Sequence, residues 1–239
     1  DLMKAWVRLL GMAALAIVLG LETVNADPTP PPAIPVCGQP PRMDGSLDDP
    51  AWGPALTVAD FVRIDAGGEH PPMTNVTARL MRDDAWLYAG FDIVHPLPVT
   101  VVPVFKHRDD PVQRENCVKV ALDPGTDGKM WYHFRLSCGD VRSEQRNSAQ
   151  GGLQTAWNIP WRSAVRITDT GWQAEIALPF ALLMELGEPV KARINLLAHI
   201  FTPILDPYGV EIGKEREVAA WAATPASWWT TPDRFIAVA

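Results

Sequence analysis

The stretch from Glu115 to Cys138, ENCVKVALDPGTDGKMWYHFRLSC, constrains the fold more than any other part of this sequence. Its first arm, 117–122, is rich in β-branched and apolar residues, and its second arm, 130–136, alternates between two faces. The loop between them, 123–129, contains a proline and two glycines, which favour a turn. This pattern predicts a β-hairpin. A hairpin cannot bury its apolar face alone, so the rest of the chain must supply a second layer.

The two faces of the second arm have different compositions. One face carries Trp131, His133 and Arg135, and the other carries Tyr132, Phe134 and Leu136. The second set is apolar or aromatic throughout. It is therefore the set that we expect to face the core.

Similar signals recur along the chain. Strands are predicted at 57–64, 74–81, 86–94, 163–167, 172–178, 192–201 and 210–221, and a closing strand is predicted after 227–235. The segment 140–158 is polar and contains Gly151-Gly152, which predicts an irregular connection. Pro179 to Leu186 begins with proline, is apolar at helical spacing and precedes Gly187, which predicts one short helix. The chain is therefore predicted to be all-β, an antiparallel β-sandwich of immunoglobulin-like or jelly-roll type.

The N-terminus has the features of an export signal. Lys4 and Arg8 precede an apolar run, and Val24-Asn25-Ala26 is a small-residue cleavage site. Residues 1–26 are predicted to be either a cleaved signal peptide or a retained membrane helix. The apolar residues of that N-terminal helix would include Trp6, Leu10, Leu15, Val18 and Leu21. Both alternatives place the rest of the chain outside the cytoplasm, at the periplasmic face of a bacterial membrane or, after cleavage, in secreted form.

Composition excludes some classes of function. The net charge is −7 and there is no basic run, which argues against a nucleic-acid partner. The 3 cysteines, Cys37, Cys117 and Cys138, allow at most one internal disulfide and leave its pairing open. No pair of acidic residues stands in a recognisable catalytic setting, so we do not predict an enzyme. Residues 27–41 are proline-rich and are predicted to be an extended linker before a domain at 42–239.

Six segments in the same order carry a resemblance to a known family. They are MDGSLDDPAW, ARLMRDDAWLYAGFDI, NCVKVALDPGTDGKMWYHFRL, TDTGWQAEIALPFALL, RINLLAHI and SWWTTPDRF. Together they make the chain similar to the family 9 carbohydrate-binding module over roughly Arg42 to Ala239. The resemblance implies a non-catalytic β-sandwich that binds the end of a glucan or xylan chain between two tryptophans, with structural calcium.

Carried over to this sequence, the resemblance places one clamp tryptophan at Trp229. Its partner position, just ahead of the strand 117–122, holds Gln113, which has no aromatic face for stacking. Lys119 and Asn116 stand where the family commonly has acidic residues. If a sugar binds, the resemblance and the aromatic content of the chain predict that Trp228, Trp229, Gln113 and Trp131 contact it.

The sequence also contains residues of the types that bind calcium and haem. Asp123 and Asp127 offer the oxygen atoms that a structural Ca²⁺ would need, and Asp44 and Asp48 lie at a second turn of this kind. Haem is bound by Met with His or Lys in some related domains, and Met81, Met130, His133 and His199 are of the right type. Haem is not predicted, because no cysteine pair for its attachment is present.

Two hypotheses of function follow. In the first, the N-terminal helix holds the sandwich at the membrane, where it is an accessory subunit that contacts other protein subunits of a larger electron-transfer or photosynthetic complex. This reading predicts that the loop 95–113 contacts protein. In the second, the chain is a secreted module that binds a polysaccharide of the glucan or xylan type.

Overall fold

A computed structural model describes residues 31–65, 70–150, 152–155, 157–180, 192–222 and 232–238. The predicted N-terminal helix, Trp228, Trp229 and the predicted short helix from residue 181 onward lie outside these ranges. Within them, no helix has the length and apolar character needed to cross a membrane.

The described residues form mainly β-strands. In chain order, the strands are β1 (Leu56–Val58), β2 (Val62–Arg63), β3 (Asn75–Arg82), β4 (Trp86–Val94), β5 (Cys117–Asp123), β6 (Met130–Ser137), β7 (Arg142–Ser148), β8 (Leu153–Gln154), β9 (Arg162–Thr168), β10 (Gly171–Pro179), β11 (Ala192–Leu205), β12 (Glu211–Ala220) and β13 (Ile236–Val238). Short 3-10 turns lie at Pro50–Trp52, Pro98–Thr100, Val112–Arg114 and Pro232–Arg234.

The strands form two antiparallel sheets. The smaller sheet has the order β1-β3-β4-β10-β9, and the larger has the order β2-β12-β11-β5-β6-β7-β8, with β13 also paired to β11. The hairpin on which the sequence prediction began is β5–β6, with Val118 opposite Leu136 and Leu122 opposite Tyr132. It occupies the middle of the larger sheet. The predicted antiparallel all-β sandwich is confirmed.

One main core lies between the sheets, and alternation along the strands explains its composition. The smaller sheet contributes Leu80, Phe91, Ile93, Trp172 and Ile176, and the larger contributes Val120, Phe134, Leu136, Leu196 and Ile200. The face predicted to be apolar, with Tyr132, Phe134 and Leu136, is buried in this core. Its opposite face points away from the smaller sheet.

Two sequence predictions about strands were wrong. The single strand predicted at 57–64 is instead two short strands, β1 and β2, in different sheets. Residues 59–61 carry the chain from one sheet to the other, and Phe61 is buried in the main core at this crossing. The segment predicted to be irregular contains β7, whose sequence RSEQRNS has few β-formers and is recruited by pairing with β6.

The leading segment of the domain packs outside the sandwich rather than at its end. Leu47 and Trp52 join Met81, Tyr88 and Ala177 in a separate cluster on the outer face of the smaller sheet. The buried Glu175 on β10 holds this segment: its carboxylate accepts hydrogen bonds from Asp44 N (2.9 Å), Gly45 N (2.7 Å) and Trp52 Nε1 (3.1 Å).

The proline-rich segment also contacts the sandwich where it is described. Cys37 N donates to Arg82 O at 2.7 Å, and Arg82 N donates to Pro35 O at 2.9 Å. Cys37, Cys117 and Cys138 are all buried free thiols. The disulfide allowed by the sequence does not form, since Cys117 points to the outer face of the larger sheet while Cys138 packs in the main core.

Candidate functional site

The outer face of the larger sheet gathers most of the polar side chains that the fold buries. Pairing puts His199 of β11 opposite Cys117 of β5, and Lys119 of β5 opposite Arg135 of β6. We call the following set the polar face: Lys119, Trp131, His133, Arg135, Gln145, Asn147 and His199. Because side chains two apart in a strand share a face, these seven residues from four neighbouring strands form one surface.

Hydrogen bonds join part of the polar face into a row. Arg135 Nη2 donates to Gln145 Oε1 at 2.9 Å, and Gln145 Nε2 donates to Asn147 Oδ1 at 2.6 Å. Asn147 Nδ2 in turn donates to the backbone oxygen of Trp131 at 3.5 Å. The row fixes the orientation of both amides beside an indole ring. Buried polar groups held in this way are a common component of specific ligand sites.

The polar face is shielded from solvent, since each of its side chains is at most 9% exposed. Neighbouring apolar residues of the same sheet, Ala121, Leu197 and Val218, are covered by Ile64 and Phe235. The face therefore has a low effective dielectric, which strengthens any electrostatic interaction made there.

Burial and mutual repulsion lower the proton affinity of the basic groups. Burial, followed by the charge of Arg135, holds the pKa of Lys119 well below its usual range. Burial, followed by the charges of Lys119 and Arg135, holds the pKa values of His133 and His199 well below theirs. Burial also lowers the pKa of Arg135. Both imidazoles are therefore neutral at pH 7 and able to donate one hydrogen bond and accept another.

The structure does not bring the predicted sugar contacts together. Trp131 lies near the start of β6, whereas Gln113 is exposed in the turn Val112–Arg114 that leads into β5. Cys117, where β5 begins, pairs with Ser137 at the far end of β6. Ser137 is six residue steps along the strand from Trp131, a distance of about 20 Å. Gln113 and Trp131 cannot both contact one small sugar, and Trp228 and Trp229 lie outside the described residues.

Two of the three positions at which the sequence departs from the family pattern, Asn116 and Lys119, lie in or beside the larger sheet. Asn116 Oδ1 accepts a hydrogen bond from Phe201 N at 3.0 Å and so continues the β5–β11 pairing by one step. Lys119 lies at the centre of the polar face. The first change supports the sheet, whereas the second changes the charge of the site.

Several members of the polar face were not identified from sequence as site residues. Arg135 was placed on the same face as Trp131 by alternation, but no role followed from that, and His133 was considered only as a haem ligand. Gln145 and Asn147 were missed because β7 was predicted to be irregular. No periodic signal could have found them, because all seven residues of β7, RSEQRNS, are polar.

The aspartates predicted to bind calcium are engaged with basic residues. Asp123 Oδ2 forms an ion pair with Arg193 Nε at 3.4 Å and accepts from Gly128 N at 3.2 Å. Asp127 Oδ2 lies 2.8 Å from Lys129 Nζ. Over the part of the chain that the structure describes, no three His, Cys, Asp or Glu side chains cluster as metal ligands. Calcium binding stays a prediction from the resemblance.

The loop predicted to contact protein, 95–113, exposes apolar side chains. Val99 is 89% exposed and Val102 and Val104 are each 62% exposed. The loop is tied to the sandwich by Glu115, whose Oε2 accepts from Val104 N at 2.6 Å. His95 closes its other end, with Nδ1 accepting from Leu97 N at 3.0 Å and Nε2 facing Phe201 O at 3.3 Å. A protein contact at this loop stays a prediction.

Comparison with known proteins identifies the fold. No protein-family model matches the chain, and no curated protein matches it. A family 9 carbohydrate-binding module from Caldicellulosiruptor kristjanssonii, solved with glucose, has a TM-score of 0.55 and 15% identity, covering 86% of this chain and 94% of that one. A structure with cellotriose, also of a family 9 module from this organism, has a TM-score of 0.55 and 16% identity, covering 86% and 92%.

A third solved structure agrees. A protein from Bacteroides uniformis, for which carbohydrate binding has been suggested, has a TM-score of 0.55 and 12% identity, covering 75% of this chain and 85% of that one. The chain therefore has the fold of family 9 carbohydrate-binding modules, as its sequence segments predicted. At these identities, the likeness concerns the fold alone.

Proposed function

We propose that this chain is a non-catalytic carbohydrate-binding module that takes the end of a polysaccharide chain on its polar face. The observation that carries the proposal is the row Arg135–Gln145–Asn147 beside Trp131, at most 9% exposed and joined by hydrogen bonds. The likeness of the fold to modules solved with glucose and cellotriose supports the same reading.

The chemistry of the row suits a sugar. A pyranose ring has hydroxyl groups around its rim, each of which donates and accepts hydrogen bonds, and two faces of C–H groups. Gln145 and Asn147 each provide an amide donor and an amide acceptor, and Arg135 provides a planar set of donors. Trp131 provides an aromatic surface, on which C–H faces pack. A site of this kind recognises a sugar by shape and hydrogen bonding without any reaction.

Because the polar face is buried, a ligand reaches it only after some rearrangement over the face. We therefore expect this rearrangement to limit the rate of association at high sugar concentration. A concentration series in stopped-flow tryptophan fluorescence measures this rate. If the rearrangement precedes binding, the observed rate constant should level off at high sugar concentration.

The proposal includes a location outside the cytoplasm, based on the signal-like N-terminus. Whether residues 1–26 are cleaved or retained is decided by the N-terminal sequence of the mature protein, where Asp27 as the first residue indicates cleavage. Neither the fold nor the comparisons favour the hypothesis of an accessory subunit in a membrane complex, and that hypothesis rests on residues outside the described ranges.

The function is tested by retardation in gels containing soluble glucan or xylan, and by calorimetric titration with cellotriose. We expect the wild-type chain to be retarded and Asn147→Ala to lose at least about tenfold in affinity, because it removes amide contacts from a buried site. Asn75→Ala removes an exposed asparagine from β3 in the other sheet and serves as the matched control. Trp229→Ala tests the clamp position predicted from the resemblance.

Two results would contradict the proposed function or its assigned site. If the wild-type chain is not retarded by any glucan or xylan and shows no heat with any sugar titrated, cellotriose included, the proposed function is wrong. If it binds and Asn147→Ala binds equally well, the sugar lies elsewhere on the sandwich.

A further inference from the structure

The polar face concentrates basic groups to an extent that a neutral sugar does not require. Lys119, His133, Arg135 and His199 come from three adjacent strands, and all are buried. Lys119 lies directly opposite Arg135, His133 is two residues from Arg135 on β6, and His199 lies opposite Cys117, two residues from Lys119. The four groups are electrostatically coupled, because the charge of Arg135 lowers the pKa values of the other three.

Arg135 shows that the positive charge is not compensated by the described residues. Its guanidinium forms no ion pair with any carboxylate that the structure describes, and Nη2 donates to the neutral Gln145. Nε is buried and has no hydrogen-bond partner among the described residues. A guanidinium stays protonated even when its pKa is lowered, so a buried positive charge and a buried donor remain available.

The acidic groups described around the polar face each make a contact with a residue outside it, and Glu115 Oε2 accepts from Val104 N. Asp123 is paired with Arg193, and burial raises the pKa of Asp123. Glu144 on β7 pairs with Phe134 in register and so points to the opposite side of the sheet, where it forms an ion pair with Arg108 and accepts from Ile159 N. A buried cation without a counter-charge is strongly unfavourable, and a ligand carrying a negative charge removes that penalty.

From this arrangement we propose that the preferred ligand is an acidic sugar, a hexuronate residue at a chain end, whose carboxylate is bound by Arg135 through Nε and its neighbouring N–H groups. A carboxylate matches the planar donor set of a guanidinium, and the low dielectric of the face makes the pair stronger than an exposed one. Gln145 and Asn147 remain to bind ring hydroxyls. This inference rests on the proposed function, because it names the class of sugar for the same site.

The experiment compares a neutral sugar, the corresponding sugar acid and a carboxylate without a sugar ring. Calorimetric titration of the full chain with D-glucuronate, D-glucose and acetate at pH 7 separates the carboxylate from the sugar ring. We expect D-glucuronate to bind at least about tenfold more tightly than D-glucose, and acetate more weakly than D-glucuronate, since a charge-assisted pair and the ring contacts contribute together.

Substitutions of Arg135 test whether its guanidinium causes the preference for glucuronate. Arg135→Gln is expected to abolish the preference for glucuronate, and Arg135→Lys to retain part of it, because a lysine keeps the charge but not the planar donors. Arg166→Gln removes an exposed arginine from β9 in the other sheet and is the matched control. If Arg135→Gln fails to fold, the ratio of the wild-type affinities for glucuronate and glucose still decides the question.

The outcomes distinguish the two proposals. Binding of glucose or cellotriose at least as tightly as glucuronate overturns the acidic-sugar inference and leaves the proposed function in place. No binding of any sugar overturns both. Acetate binding as tightly as glucuronate shows an anion site without sugar recognition and overturns the hexuronate assignment.

Discussion

Lys119 on β5 lies directly opposite Arg135 on β6, and both side chains are buried on the same face of the larger sheet. Like charges placed opposite each other across a strand pair oppose folding, and here burial removes the water that would screen them. The low pKa of Lys119 is the consequence, because neutralising one of the two groups relieves both the repulsion and the desolvation.

This relationship predicts how the stability of the protein responds to alkaline pH. Because the pKa of Lys119 is lowered by folding, the unfolded chain keeps a proton that the folded protein lacks as the pH rises from that lowered pKa towards the normal lysine range. The free energy of unfolding of the wild type should therefore increase, relative to Lys119→Met, by up to about 1.4 kcal/mol per pH unit. Urea denaturation at pH 7 and pH 9.5 measures the difference.

Lys214→Met, at an exposed position of β12, is the control for that measurement. Comparing variants cancels the contributions of the cysteines, which also titrate in this range. A difference between wild type and Lys119→Met that does not change with pH would contradict the prediction.

The burial of His95 predicts how the stability of the protein responds to acidic pH. Its ring is neutral in the fold, because Nδ1 accepts from Leu97 N and burial lowers its pKa. Below about pH 6.5 the unfolded chain takes up a proton that the folded protein does not, so stability falls with acid by up to about 1.4 kcal/mol per pH unit. His95→Gln should lose this share of the acid sensitivity in denaturation curves at pH 7 and pH 5.5. His107→Gln, at an exposed histidine, should retain it.

Two buried tryptophans allow the contribution of a hydrogen bond to stability to be measured separately from that of packing. Trp52 Nε1 donates to Glu175 at 3.1 Å, whereas Trp172 Nε1 is buried with no hydrogen-bond partner among the described residues. Trp52→Phe and Trp172→Phe remove the same atoms, but only the first leaves a buried acceptor short of a donor. We expect Trp52→Phe to lower the free energy of unfolding by about 1 to 2 kcal/mol more than Trp172→Phe. Equal effects in thermal or urea denaturation would show that the bond to Glu175 adds nothing.

Two glycines with the same backbone conformation differ in their surroundings. Gly45 has φ +83° and a Cβ there would lie 2.5 Å from the backbone carbon of Val165, while Gly209 has φ +81° and nothing within 4 Å. Gly209→Ala should cost only the left-handed conformation, about 1 to 2 kcal/mol. Gly45→Ala adds a clash with β9 and should cost clearly more. A measured cost for Gly45→Ala no larger than that for Gly209→Ala would mean that the leading segment moves aside freely.

Local pattern predicted the strands whose side chains alternate between apolar and polar. β3, β4, β5, β6, β10 and β11 were found close to their observed bounds, since each has a buried face that the period of two reveals. β7 was missed because its buried residues are polar on both faces. On the inner face, Glu144 forms an ion pair with Arg108 and accepts a hydrogen bond from Ile159 N. The crossing at 59–61 was missed because a change of sheet leaves no periodic signal.

The central hairpin, the strands of the sandwich and the apolar set between its sheets could be predicted from sequence, because the period of two is visible in residues close together in the chain. That Lys119, Arg135 and His199 share one buried surface, and that Gln113 lies at the other end of β6 from Trp131, could not be predicted in this way. Register between β11, β5, β6 and β7 sets which side chains become neighbours, and it follows from pairing over long sequence distances. The same pairing buries those charges together, and so gives the face a chemistry that none of its strands has alone.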